Sequence, residues 1–284
     1  AAAPLGWLAR AGRVSPELMD RLWGLAQGAG DAQVRAVYGL VVELAGELPS
    51  GPDLDLLYDK VAAALAAPAP VGAREAELLR GFAERAAFRD DREAFGYGLE
   101  VLWRCAQQDD NAAAAAPPYV SEEGARACAA ALAGVFAQEG GGPALGRLLE
   151  ECAGNLRARR SEAPTLRLLQ LVLEGQPEAG RGMGAASGRS RDRLIEELER
   201  QYGLLELVVA DVGHYLARSK AAAAEPPAGG ASGRLPHAEA LQVRLDFLGF
   251  CLASSNLTLD FKQIKQLWDA AVPAAAAAPP RGGG

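Results

Sequence analysis

The residues with the most chemical reach in this chain are four cysteines, Cys105, Cys128, Cys152 and Cys251, and two histidines, His214 and His237. A thiol becomes a nucleophile when a base within hydrogen-bond reach generates the thiolate. All four cysteines fall within helical patterns, where a cysteine packs as a small core residue. His237 adjoins an Ala/Pro/Gly segment. No Cys–His dyad is therefore expected. The six residues have neither C-x-x-C nor finger spacing, so no metal ligand is assigned. Gly180 to Gly184 is glycine-rich, but no strand precedes it and no Lys-Ser or Lys-Thr follows, which a phosphate-cradling loop requires. Asp90-Asp91 and Asp109-Asp110 lie near helix ends and read as solvated turns or caps. Arg157, Arg159 and Arg160 form one short basic run, which reads as a solvated helix face or C-terminus. The expected site is thus empty: no catalytic residue, no cofactor and no metal.

Composition narrows the class further. Of the 284 residues, 50% are hydrophobic but only 6% are aromatic, so Leu, Val and Ala must carry the packing. Beta-branched residues are sparse in the periodic segments, which favours helix over strand. The net charge of -7 shows no basic face for phosphates, so no nucleic-acid partner is expected. No apolar run approaches the ~20 residues that span a bilayer, so no membrane partner is expected either. Widely spaced cysteines in a chain of this length point to a reduced intracellular compartment, the cytoplasm. The start at Ala1, without Met or a signal-peptide pattern, suggests a chain cut from a longer one.

The elements between these residues are helical. Ser15-Pro16-Glu17 is a helix start, with Ser15 as cap and Pro16 at the first helical position. Leu194, Leu198, Leu205, Val209, Val212 and Leu216 fall on one face of a single long helix. Leu241, Leu245, Leu248 and Leu252 make a second stripe, and Phe261, Ile264, Trp268 and Ala271 a third. Five Ala/Gly/Pro-rich stretches interrupt the pattern: inserts near 66–72, 111–118, 175–190 and 221–233, and a tail over 272–284. Their composition offers too little apolar surface to offset the entropy of ordering, so they are expected to be flexible.

One pattern recurs. Ser15 to Trp23 aligns without gaps on Ser50 to Tyr58, matching Met19 with Leu54, Asp20 with Asp55, and Leu22-Trp23 with Leu57-Tyr58. Asp260 to Trp268 repeats it, with Asp260 as cap, Ile264 at the Met19 position and Leu267-Trp268 at the end. A fourth copy ends in Leu102-Trp103, with Leu99 in place of Met19. The first intervals, from Leu22 to Leu57 and from Leu57 to Leu102, are 35 and 45 residues. Armadillo and HEAT units run about 40–47 residues. The expected fold is an all-α, armadillo/HEAT-like helical-repeat solenoid over residues 1–271. Trp23, Trp103 and Trp268 are expected to be buried between its layers.

These segments resemble the armadillo-type region of the very large ubiquitin-specific proteases of the fat-facets type. The resemblance is carried by SPELMDRLWGLAQ (15–27), VYGLVVELA (37–45), GLEVLWRCAQ (98–107), RLIEELER (193–200) and EALQVRLDFL (239–248), running on to Leu267-Trp268. They occur in the family's order over most of residues 5–271, apart from the inserts and a poorly matching stretch from Tyr119 to Leu173. The family implies removal of ubiquitin by a papain-like cysteine peptidase, but its Gly-Asn-Thr-Cys box and His box are absent from this chain. The resemblance therefore implies a non-catalytic scaffold segment of a deubiquitinase. Its partners would be proteins, either ubiquitinated substrates or an attached peptidase domain. A stand-alone armadillo-like adaptor is the alternative.

Overall fold

The computed structural model describes residues 15–26, 29–48, 51–65, 72–88, 92–107, 120–139, 143–178, 190–224 and 237–272. Among them are twelve α-helices and no β-strand. None of these helices is long and apolar enough to cross a membrane. The chain divides into two compact units, residues 1–108 with 112–135, and residues 109–111 with 136–284.

The first unit holds α1 (Pro16–Gly24), α2 (Asp31–Glu47), α3 (Pro52–Leu65), α4 (Ala73–Phe88), α5 (Arg92–Ala106) and most of α6 (Glu122–Glu139). Ser15 caps α1 as its type and position predict: its Oγ accepts from Leu18 N at 3.3 Å, and proline opens the helix. Met19 and Leu22 of α1 are buried, and so are Leu54, Leu57 and Val61 of α3. An ion pair from Lys60 to Asp20 ties α3 to α1. α2 buries Val34, Val37, Val41 and Leu44 on one face, the spacing of an amphipathic helix. α2 and α4 approach closely at Gly81, where a Cβ would stand 2.9 Å from Val42 Cγ2. Tyr38 donates to Glu75 Oε1 at 3.2 Å across the same pair of helices.

The second unit holds α7 (Pro143–Ala158), α8 (Glu162–Glu174), α9 (Arg191–Tyr202), α10 (Leu204–Ala224), α11 (His237–Ala253) and α12 (Phe261–Ala271). α8 is its centre: Ala163, Thr165, Leu166, Leu168, Leu169, Val172 and Leu173 are all buried, and α7, α9 and α11 pack around it. Its C-terminal carbonyls, which have no partner within the helix, are met by the Arg191 side chain. That guanidinium donates to Leu173 O at 3.1 Å and Glu174 O at 2.9 Å. The cation also suits the negative end of the helix dipole.

Four expectations change here. The single long helix through Leu194 and Leu216 is two helices, α9 and α10, because Gly203 adopts a left-handed conformation (φ 66°) that ends α9. The stripe itself is inside, with Leu194, Leu198, Leu205, Val209 and Val212 buried. In α11 the buried face is Ala240, Arg244, Phe247, Leu248 and Cys251, and Leu245 is exposed. This helix carries apolar residues all round, so periodicity alone does not fix its phase. The stripe on α12 faces outward: Phe261 is 81%, Ile264 52% and Trp268 66% exposed. Trp23 and Trp103 are half-buried, so no tryptophan of the three is fully enclosed, and the leucines Leu22 and Leu102 beside two of them are. The repeat position that packs is therefore the leucine.

The stretch from Tyr119 to Leu173, poorly matched in sequence, contains α6, α7 and nearly all of α8. Most of the expected inserts and tail lie outside the described residues. Where they are described, α10 runs on through Ala224, and Gly175 to Glu178 forms the turn after α8.

Candidate functional site

The four cysteines sit on four helices, Cys105 on α5, Cys128 on α6, Cys152 on α7 and Cys251 on α11. All are free and buried, with no exposed surface. The Cys105 and Cys128 thiols hydrogen-bond to each other. That bond, together with burial, pushes Cys128 well above the ordinary thiol range. Burial raises Cys152 as well, and Cys251 to about 12. Cys105 alone shifts the other way, lowered by its hydrogen bond with Cys128, but it is as fully enclosed as the other three. None of the four thus has the accessible setting of a nucleophile.

The histidines do not alter this. His237 opens α11 and lies about 21 Å along the helix axis from Cys251. Its Nδ1 is 2.9 Å from Tyr215 Oη, and the two rings stack at 5.4 Å. His214 on α10 is held below the ordinary histidine range by partial burial and by Arg159 and Arg218. No group of three or more potential metal ligands is gathered among the described residues.

The most concentrated polar chemistry is a buried ionic cluster that sequence reasoning missed. Glu162 opens α8, Asp211 stands on α10 and Arg244 on α11, and all three are buried. Arg244 donates through Nη2 to Glu162 Oε2 at 3.3 Å and through Nη1 to Ala240 O at 2.7 Å. Its Nε lies 2.8 Å from Asp211 Oδ2. That contact is an ion pair without hydrogen-bond alignment, and neither Asp211 oxygen has a hydrogen bond among the described residues. The guanidinium also lies over the Tyr215 ring at 4.2 Å. Arg218, half exposed, reaches Glu162 Oε2 at 3.4 Å. Burial, with Glu162 nearby, raises Asp211 to about 6 against the pull of Arg244. The cluster joins α8, α10 and α11, and a second ion pair, Arg167 to Glu239 at 2.6 Å, joins α8 to α11 again. Its three core residues are buried and shared among three helices, so the arrangement locks those helices together.

A family model described as the UBP24/USP9X/USP9Y ARM repeat matches residues 5–281. The chain belongs to this armadillo-repeat family. No curated protein matches it. The ARM repeat assignment agrees with the all-helical architecture. It also gives the recurring buried leucine, at Leu22, Leu57 and Leu102, its meaning: each helix layer supports the next.

Within this ARM repeat segment, the other residues weighed for chemistry fall as follows. Arg157, Arg159 and Arg160 are exposed at the end of α7, as a solvated C-terminus would be. Arg157 also donates to Tyr202 O at 3.2 Å and covers the Tyr202 ring at 5.2 Å. Asp90-Asp91, Asp109-Asp110 and the Gly180–Gly184 run lie outside the described residues. The buried cluster left one sequence signal, an arginine at 244 between apolar neighbours on both sides, at helical spacing from Ala240 and Phe247.

Proposed function

We propose that this chain is a non-catalytic helical scaffold segment of a large ubiquitin-specific protease, holding substrates or the peptidase domain in position. The observation that carries this reading is the ARM repeat family match over residues 5–281. Two features support it. All four thiols are enclosed, and burial pushes Cys152 and Cys251 away from the thiolate, so none is presented to a substrate as a nucleophile. Stacked helices build extended surfaces suited to holding other proteins, and the scaffold needs no moving parts to do so. Free cysteines fit a reducing intracellular setting.

Reading the parent open reading frame tests the link to a peptidase. A peptidase with its Cys and His boxes in the same frame is expected. Deleting residues 5–281 from that parent should leave turnover of a minimal ubiquitin–fluorophore substrate unchanged and slow the processing of a ubiquitinated protein. A frame without a peptidase would replace this reading with the stand-alone adaptor. Equal loss on both substrates would contradict a positioning role.

A further inference from the structure

The chain carries a net charge of -7, yet arginines gather on one face of its second unit. Arg157 lies in the last turn of α7, Arg159 and Arg160 form the turn into α8, and Arg218 stands on α10. All four are exposed. Arg218 reaches the start of α8, with Nη2 3.4 Å from Glu162 Oε2. His214, one turn before Arg218, is held below the ordinary histidine range by partial burial and by Arg159 and Arg218, so it lies in the field of both. Arg157 donates to Tyr202 O at 3.2 Å, at the end of α9. Little offsets this charge. No carboxylate pairs with Arg157, Arg159 or Arg160 among the described residues. The carboxylate that Arg218 reaches, Glu162, is buried and shared with Arg244. A cation in the last turn complements the helix dipole, which accounts for Arg157. It does not account for Arg159 and Arg160, which follow the helix, or for Arg218, which stands on another. Arg159 (φ 54°) is also left-handed, a conformation that glycine takes without strain. The turn therefore holds an arginine where the backbone alone would favour glycine.

We infer that this arginine face is a docking site for an acidic segment of a partner protein. Charge complementarity identifies the occupant. A guanidinium fork binds a carboxylate through paired N–H···O bonds, and a short run of Asp and Glu supplies several carboxylates within the span of the patch. A long polyanion fits less well. Nucleic acid presents phosphates continuously, and a chain with 36 acidic against 29 basic residues repels it everywhere outside the patch. A short acidic segment stays inside the basic area. Exposed charges of this kind set approach and orientation more than raw affinity, which suits a surface that positions a partner. Such docking depends on the charge geometry and not on the ubiquitin link, so either can fail without the other.

The test uses the whole chain and a short fluorescent oligoglutamate peptide. Anisotropy should show saturable binding that weakens as salt is raised. Arg159→Glu with Arg160→Glu should weaken it about tenfold or more, because attraction becomes repulsion. Both side chains are exposed, so thermal melting of this variant should match the parent. Arg160→Gln alone should weaken binding about threefold, and it carries the test if the double variant melts early. Arg21→Glu with Arg35→Glu makes the same charge change at exposed positions of the first unit and should alter binding by less than about twofold. In an NMR titration the pKa of His214 should rise when the peptide is bound, since its carboxylates offset Arg159 and Arg218. Absence of saturable binding, or equal weakening by the two double variants, would overturn the inference. So would a single-stranded oligonucleotide that binds more tightly than the peptide, since that gives the patch to nucleic acid. A dimer in sedimentation that Arg159→Glu with Arg160→Glu abolishes would also overturn it, by giving the face to a second copy.

Discussion

At the scale of residues, the chain keeps its reactive groups out of reach and uses its buried charges as fasteners. Arg244 is the clearest case, since it stands between Glu162 and Asp211. Arg244→Leu should cost roughly 3–5 kcal/mol in urea unfolding, because Asp211 would lose its buried cation and Glu162 would keep only the half-exposed Arg218. Asp211 adds a pH dependence whose sign follows from its native value. The group titrates near 6 in the fold against 3.8 when free, so the folded state holds that proton more tightly. Its contribution is therefore full below the free value and is lost as pH rises through about 6. Parent stability relative to Asp211→Asn should fall by up to about 3 kcal/mol from about pH 4 to about pH 7. A constant difference would contradict the assignment. The cysteines give a simpler check: a thiol reagent should modify none of the four in the native chain and all of them after denaturation.

At the scale of elements, stops and caps decide the architecture as much as apolar periodicity does. Gly203 is the hinge between α9 and α10, and its positive φ is the reason. Gly203→Ala should destabilise by about 1–2 kcal/mol, since a Cβ is strained in the left-handed region. Asp260→Ala should remove the acceptor of Gln263 N at 2.7 Å and cost about 1 kcal/mol. Faster amide exchange at Gln263 and Ile264 would report it. Much of this level was legible in sequence. Ser15 and Asp260 announce caps by type and place, and Leu22, Leu57 and Leu102 announce the repeat. Three features were not. A stripe that crosses Gly203 reads as one helix, because the periodicity continues through the turn. α11 is apolar all round, so its phase and the burial of Arg244 come only from its neighbours. The α12 stripe reads as core, because a sequence shows amphipathicity but not whether a partner covers it.

At the scale of the whole molecule, the account joins two claims of different origin. The all-helical ARM repeat assignment follows from the helices described and from the family match over residues 5–281. The scaffold role is our proposal, and its central content is that this segment supports chemistry without performing it. The enclosed thiols make that content specific. The most direct test incubates the intact chain with a ubiquitin-based fluorogenic substrate and follows release of the fluorophore. The account expects no turnover above buffer, unchanged when Cys105, Cys128, Cys152 or Cys251 is replaced by alanine. Turnover that a single one of these replacements abolishes would contradict it.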